Sequence, residues 1–170
     1  RTDDYGKNWK RIIDDTDVSG YVLSFVQDPV EPALMFAGTE NGLFVSFDGG
    51  EMWNRWTSGY PTVSTYDLAI HPREHDLVIA TFGRALWILD DIRPLRALAK
   101  EGNSLLNSKI AVFEVPVAIM ASSKNLPGYY FYGDAMFRGE NRQPGAMISF
   151  FTPKDSGKVS VTISDNEGKV

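Results

Sequence analysis

Two stretches of this chain repeat each other at a constant spacing, and this repeat constrains the fold more than any other feature. Phe44 stands 43 positions before Trp87, and Asp48 stands 43 positions before Asp91. The segments that align without a gap are 23–29, 34–39 and 42–48 in the first copy and 66–72, 77–82 and 85–91 in the second. A repeat of about 40–50 residues made of short strands is typical of the blades of a β-propeller.

Each copy is composed of short apolar runs separated by residues that favour turns. Between two of the runs in the first copy, Asn41-Gly42 predicts a hairpin turn, because Asn and Gly tolerate the positive φ that such turns need. β-branched and aromatic residues dominate the runs, as expected for strands. The strands predicted are 22–26, 34–37, 43–46 and 52–56 in the first copy and 66–70, 77–80 and 86–89 in the second.

The chain changes character after the second copy. Residues 94–100 carry a proline near the start and are followed by Gly102, which predicts a short helix. Residues 109–121 are apolar and strand-like, and residues 122–142 form an aromatic-rich connection that we expect to pack on the preceding sheets. Two further strands are predicted at 146–152 and 158–164, with a turn at 165–168.

The predicted organisation has three parts. Residues 1–92 form the propeller blades, and residues 93–144 form the helix and the connecting segment. Residues 145–170 begin a β-sandwich module. The sequence therefore predicts an all-β fold, apart from the one short helix.

Composition excludes several classes of function. The chain has no cysteine, so disulfides and thiolate metal sites are excluded, and with two histidines we expect no metal and no cofactor. The formal net charge of −5 argues against nucleic acid as a partner. No apolar stretch approaches the roughly 18 residues that span a bilayer, so no transmembrane segment is expected.

Turn residues carry a family resemblance. The run from Ser46 to Trp53 resembles the Asp-box, Ser/Thr-x-Asp-x-Gly-x-Thr-Trp, and the run from Thr2 to Trp9 resembles it as well. Both copies depart from the motif at the threonine, which Asn8 and Met52 replace, and the turn at Asp91 keeps only the aspartate. The box residues, for which we expect a structural role, are Thr2, Asp4, Gly6, Trp9, Ser46, Asp48, Gly50 and Trp53.

The whole chain is similar to secreted bacterial Asp-box (BNR-repeat) propeller proteins, including those labelled glycosyl hydrolases and the sortilin-like group. Its last part looks like the entry to the Ig-like module appended to such propellers. This resemblance implies a fragment with the last blades, whose partners include the remaining blades of the same protein. It also implies a secreted, cell-surface or periplasmic location.

The resemblance places the box on the turn between the third and fourth strands of a blade, away from the ligand face. The opposite turns would then carry the ligand contacts, and the candidate residues there are Glu40, Tyr60, Tyr66, Asp67 and Arg84. The ligand would be a glycan or a protein. The alternatives are that these are solvated loop residues, or that the protein is a glycoside hydrolase with its catalytic carboxylates mainly on other blades. No catalytic residue is identified, and only Glu40 and Asp67 are plausible candidates here.

Overall fold

The first copy of the repeat folds into a four-stranded antiparallel sheet in which neighbours in sequence are neighbours in space. The computed structural model describes residues 1–118, 142, 145–153 and 160–169. The strands are β1 (Val22–Gln27), β2 (Met35–Thr39), β3 (Gly42–Ser46) and β4 (Asn54–Trp56). Gly42 has a φ of +139°, so the tight turn between β2 and β3 occupies backbone space that favours glycine.

The second copy folds into a three-stranded antiparallel sheet with the same order of strands. Its members are β5 (Thr65–Ile70), β6 (Leu77–Thr81) and β7 (Leu86–Leu89). Phe44 pairs with Ala37 and Trp87 pairs with Ile79, so the two aromatic residues hold equivalent places in the two sheets. Asp48 and Asp91 each follow the third strand by two residues. The predicted repeat is therefore confirmed in the backbone.

The strand pairing corrects one part of the gapless alignment. In the first sheet Gln27 pairs with Met35, whereas in the second Ile70 pairs with Leu77. The counterpart of Met35 is thus Leu77, one residue earlier than a 43-residue spacing gives. The connection between the first two strands is one residue shorter in the second copy, and the following turn is one residue longer. Because the two changes in length cancel, the third strands keep the 43-residue spacing, and a gapless alignment does not reveal the shift of β6.

Each sheet has two faces, and both are apolar. We call face A the one that carries Met35, Ala37 and Phe44 in the first sheet and Leu77, Ile79 and Trp87 in the second. Face B is the opposite one, with Phe36, Leu43 and Val45 in the first sheet and Val78, Leu86 and Ile88 in the second. Residues that pair across two neighbouring strands lie on the same face of the sheet, and the faces are assigned from these pairs.

The main core lies between the two sheets. Face B of the first sheet packs on face A of the second, in a cluster that includes Phe36, Leu43, Leu77 and Ile79. Face A of the first sheet is covered by Ile12, Ile13 and Val18, with Trp53 at its margin. The sheets approach so closely that a Cβ on Gly38 would lie 2.6 Å from the Thr65 carbonyl oxygen, which explains the glycine there.

Helix α1 (Arg93–Glu101) follows β7 and ties the two sheets together. The buried Arg96 guanidinium donates to both carboxylate oxygens of buried Asp28, at 2.8–3.0 Å, in the turn after β1. Its remaining nitrogen lies 2.9 Å from Nδ1 of His75, in the turn after β5. A buried bidentate guanidinium–carboxylate pair fixes the relative position of its two residues more tightly than an ion pair on the surface does. Arg96 therefore fastens the second sheet to the first.

The rest of the described chain departs in part from the sequence-based predictions. The helix expected at 94–100 is confirmed, but a second short helix, α2 (Asn103–Leu106), follows it. Within 109–118 only β8 (Ala111–Val112) is a strand, and it pairs with β9 (Phe150–Phe151). Residues 160–164 are not a strand, whereas the turn at 165–168 is confirmed by a 3.0 Å bond from Gly168 N–H to the Asp165 carbonyl.

Strands outnumber helices among the described residues, which agrees with the predicted all-β class. The two-residue ladder between β8 and β9 joins the predicted connecting segment to the predicted β-sandwich module. The aromatic-rich connection predicted at 122–142 lies outside the described residues, apart from Arg142.

Candidate functional site

The turn after β3 is held by a small set of hydrogen bonds centred on Asp48. One carboxylate oxygen, Oδ1, accepts the Ser46 hydroxyl at 2.7 Å and the backbone N–H of Glu51 and Met52 at 3.0 and 2.9 Å. The Ser46 hydroxyl in turn accepts the N–H of Gly50 at 2.9 Å. Two side chains thus satisfy the polar backbone of one tight turn, as short polar residues commonly do.

The turn near the N-terminus repeats this pattern almost atom for atom. Asp4 Oδ1 accepts the Thr2 hydroxyl at 2.9 Å and the N–H of Asn8 at 2.9 Å, and the Thr2 hydroxyl accepts the N–H of Gly6 at 2.8 Å. The predicted role of Asp4 and Asp48, accepting bonds from their own turns, is confirmed. Each carboxylate is thus engaged by hydrogen bonds within its own turn.

The tryptophans of the two turns have different surroundings. Trp53 is buried at the margin of the first sheet, where its indole N–H donates to the Ile12 carbonyl at 2.8 Å. Trp9 is largely exposed, and its indole N–H donates to Gly6 within its own turn at 3.1 Å. The second box thus contributes a core residue, while the first box leaves its aromatic ring in solvent.

Hydrogen bonds to the carboxylates of Asp4 and Asp48 lower the pKa of both groups. Burial raises the pKa of Asp48, but the bonds from Met52, Ser46 and Glu51 outweigh burial and hold that pKa below its ordinary value. The backbone and side-chain amides of Asn8 lower the pKa of Asp4 in the same way.

Asp91 departs from this pattern because Leu89 stands where Ser46 stands in the first sheet. Its Oδ1 accepts the guanidinium of Arg93 at 2.5 Å. Its Oδ2 is buried without a hydrogen-bond partner among the described residues. The residue also has a positive φ of +52°. Here a salt bridge to α1 replaces the box.

The opposite ends of the sheets form a second edge, which we call the loop edge. It consists of the turn Glu40–Asn41, the connection 57–64 and the turn Phe82–Ala85, and strand register places all three away from the box turns. The Ser64 hydroxyl donates to the Glu40 carbonyl at 2.9 Å, and the Phe82 N–H donates to the Ser64 carbonyl at 2.9 Å. Ser64 therefore connects the two turns across the sheets.

Tyr60 does not lie on the surface of this edge. Its side chain is 8% exposed, its hydroxyl lies 2.7 Å from the Thr65 hydroxyl, and its ring packs edge-on against Trp87 with centroids 5.6 Å apart. The expectation that Tyr60 is exposed with Tyr66 and Arg84 is wrong. The connection 57–64 folds back over the core, and the aromatic ring fills the gap between that connection and face A of the second sheet.

Tyr66 is exposed and has an aromatic neighbour that sequence reasoning missed. Its ring lies 5.6 Å from that of Phe82, centroid to centroid, with the planes tilted by 33°. Phe82 is also exposed. The signal that would have identified it is an aromatic residue directly before the turn residues Gly83-Arg84.

The remaining candidates contribute charge. Glu40 and Asp67 belong to different sheets, and both are exposed. Glu40 Oε2 accepts the Tyr21 N–H at 3.4 Å, and Asp67 Oδ1 accepts the Leu68 N–H at 2.9 Å. Arg84 is exposed, and within the described part of the chain its guanidinium makes no ion pair. The edge thus offers two aromatic rings, two carboxylates and a cation.

Neither a metal site nor a known relative indicates which class of molecule the loop edge would bind. Among the described residues, no group of three or more His, Cys, Asp or Glu side chains is arranged to hold a metal ion. Within the same part of the chain, no helix has the length and apolar character that a membrane crossing requires. Comparison with protein-family models, curated proteins and solved structures found no match to this chain.

Proposed function

We propose that this chain is part of a secreted bacterial Asp-box β-propeller with an appended Ig-like module, and that it binds a glycan or a protein ligand at the loop edge. The chain carries no complete active site of its own. The resemblance of the two box turns to the Asp-box supports the family, and the stack of two equivalent sheets supports the blades.

The binding proposal rests on a difference between the two edges: polar side chains are bonded within their own turns at the box edge and exposed at the loop edge. At the box edge, the carboxylates of Asp4 and Asp48 are occupied by their own turns. At the loop edge, Tyr66, Phe82 and Arg84 project from turns and strand ends without being used by the fold. Binding residues are commonly placed on loops held by a rigid scaffold, as these are.

Exposed face B of the second sheet supports the presence of further blades. Leu86 and Ile88 lie in solvent there, although their counterparts in the first sheet are buried by the neighbouring sheet. An apolar sheet face of this kind marks a contact with another element. We propose that another blade of the same protein covers it.

A glycoside hydrolase is the second candidate function, and it rests on Glu40 and Asp67. Such enzymes use two carboxyl groups separated by roughly 5–5.5 Å for retention or 6.5–9.5 Å for inversion. The two residues stand on different sheets, and each carboxylate already accepts a backbone N–H, from Tyr21 for Glu40 and from Leu68 for Asp67. We therefore favour binding over catalysis. In the hydrolase case the catalytic carboxylates would come mainly from other blades.

One experiment on the complete protein separates the two functions. Glycan binding and glycan cleavage are measured for the wild type and for the double variant Glu40→Gln, Asp67→Asn, which keeps both shapes and removes both charges. The matched control is Asp3→Asn, Glu51→Gln, which removes two exposed charges near the box turns. We expect ligand binding without cleavage in all three proteins. Cleavage that is lost only in the first variant, with binding retained, would establish the hydrolase instead.

A further inference from the structure

Exposed apolar side chains of the second sheet fall into two groups that the internal repeat separates. The first group, Leu86 and Ile88, lies on face B. The second group, Tyr66 and Phe82, lies at the loop edge. Exposure alone does not say which group would contact another blade and which would remain in solvent. The first sheet answers this, because its face B is already covered by the second sheet, and the residues equivalent to both groups can be compared there.

Counterparts of the first group are covered in the first sheet. Leu86 and Ile88 are 68% and 60% exposed, whereas Leu43 and Val45, at the same places, are 0% and 2% exposed. The second sheet is what covers them. Leu86 and Ile88 are therefore sheet-contact residues, and they carry no information about a ligand.

Counterparts of the second group stay open even with the neighbouring sheet in place. Leu23 corresponds to Tyr66 and is 39% exposed, and Glu40 corresponds to Phe82 and is exposed. Tyr66 and Phe82 are themselves 55% and 72% exposed. A further sheet stacked on face B would thus leave this pair facing solvent, so its two aromatic rings need another explanation.

Local backbone geometry directs both rings outward. Tyr66 lies at an irregularity in the pairing of β5 with β6, between Thr65 and Asp67, and Leu23 lies at the same irregularity in β1. A bulge of this kind changes the direction of a side chain and is common beside binding sites. Phe82 opens a turn that is one residue longer than that of the first sheet, and Gly83 supplies the positive φ of +83°.

From this placement we propose that Tyr66 and Phe82 form a stacking platform for the pyranose ring of a saccharide, with Arg84 as a hydrogen-bonding partner for its hydroxyls. This inference rests on the proposed binding function and names its ligand class. A pyranose has an apolar C–H face and a hydroxyl rim, which match two aromatic rings beside a guanidinium. An apolar peptide anchor would need a groove, and the apolar surface nearby belongs to the sheet contact.

The test uses the complete protein and soluble hexasaccharides of glucose, mannose, xylose and galacturonic acid, with affinity measured by calorimetry. Tyr66→Ala and Phe82→Ala should each weaken binding of the preferred saccharide by about tenfold or more, as expected for loss of a stacked ring. Tyr66→Phe should bind like the wild type, because it keeps the ring. Leu23→Ala, at the position of the first sheet that matches Tyr66, should change affinity little.

The possible outcomes separate the platform, the saccharide class and the binding function from one another. Saccharide binding that survives Tyr66→Ala and Phe82→Ala overturns the platform while the binding function stands. A protein ligand whose affinity depends on these rings, with no saccharide bound, overturns the saccharide class alone. Absence of any ligand contradicts both proposals. If an alanine variant unfolds, chemical-shift changes of Tyr66 and Phe82 on titrating the wild type with the saccharide decide the question, and unshifted rings count against the platform.

Discussion

The two sheets are built on one plan, yet only the first is covered on both faces. Residues near the N-terminus lie on its face A, and the second sheet lies on its face B. The second sheet repeats the same strand order and the same apolar pattern, but its face B is open. The continuous apolar run of β7, Leu86-Trp87-Ile88-Leu89, resembles a strand that is buried on both faces. This comparison supports the proposed further blade on face B of the second sheet.

The sheets also differ at two particular positions. Ala80 stands where the first sheet has Gly38, so a neighbour on face B of the second sheet cannot approach as closely as Thr65 approaches Gly38. Leu89 stands where the first sheet has Ser46, and the salt bridge between Asp91 and Arg93 takes the place of the hydrogen bonds that Asp48 makes in the first sheet. The repeat is therefore most altered where the chain leaves the sheet and enters α1.

The largest effect is expected from the link between the sheets. Arg96→Met should lower the free energy of unfolding by about 3–5 kcal/mol, because it leaves the carboxylate of Asp28 buried and unpaired. Arg84→Met, which removes an exposed guanidinium from the turn between β6 and β7, should change it by less than about 0.5 kcal/mol. Both are measured by urea unfolding. Equal effects from the two variants would show that Arg96 does not fasten the sheets.

Matched leucines test the difference between the two B faces. In this 170-residue chain, Leu43→Ala should cost about 2–5 kcal/mol of unfolding free energy, because the side chain is fully buried. Leu86→Ala should cost less than about 0.5 kcal/mol, since Leu86 itself is exposed on the open face B of the second sheet. A large cost for Leu86→Ala in the isolated chain would mean that another part of the same chain already covers face B.

A smaller effect is expected at the box turn of the first sheet. Asp48→Ala should lower stability by about 0.5–2 kcal/mol, the range for losing a capping side chain. Asp4→Ala should do less, because the turn of Asp4 supports an exposed tryptophan rather than a buried one. Affinity for any ligand at the loop edge should not change in either variant. A selective loss of binding with unchanged stability would contradict the structural role of the box.

The smallest expected effect is a pH dependence of the same turn. Because the folded state holds the pKa of Asp48 below its ordinary value, its contribution is fully present above the unfolded pKa of about 3.9 and is lost as pH falls through the folded value. The stability difference between wild type and Asp48→Asn should therefore be constant from neutral pH to about 5 and shrink in more acidic solution. A difference that grows with acid would reverse the inferred sign.

Much of the architecture was predictable from the sequence because local signals agreed with one another. The apolar runs, Asn41-Gly42 and the proline of α1 each indicated the right element near the right place. The one-residue shift of β6 was not predictable, because a shortened connection and a lengthened turn compensate in the alignment. The runs at 109–118 and 160–164 form little or no strand, because apolar alternation does not provide a pairing partner.

The candidate site was predicted less well, for a physical reason. Loop residues such as Tyr60 carry no periodicity that tells an inward ring from an outward one, and this ring fills the core. The gapless alignment pairs Phe82 with Thr39, the last residue of β2, whereas in the structure Phe82 opens the turn after β6. The exposure of Tyr66 and Arg84 agrees with the prediction, but burial alone does not identify a ligand.

Thiol reactivity in the complete protein tests most directly whether the first sheet predicts the surroundings of the second. The chain has no cysteine, so one introduced thiol reports its own site. Alkylation rates are compared for Leu86→Cys and Phe82→Cys, with Glu40→Cys as the exposed reference, in the complete protein and in this chain alone. The repeat predicts that in the complete protein the thiol at Leu86 is protected while those at Phe82 and Glu40 remain reactive, and that all three react in the isolated chain. A reactive thiol at Leu86, or a protected one at Phe82 without ligand, in the complete protein would contradict the equivalence of the two sheets.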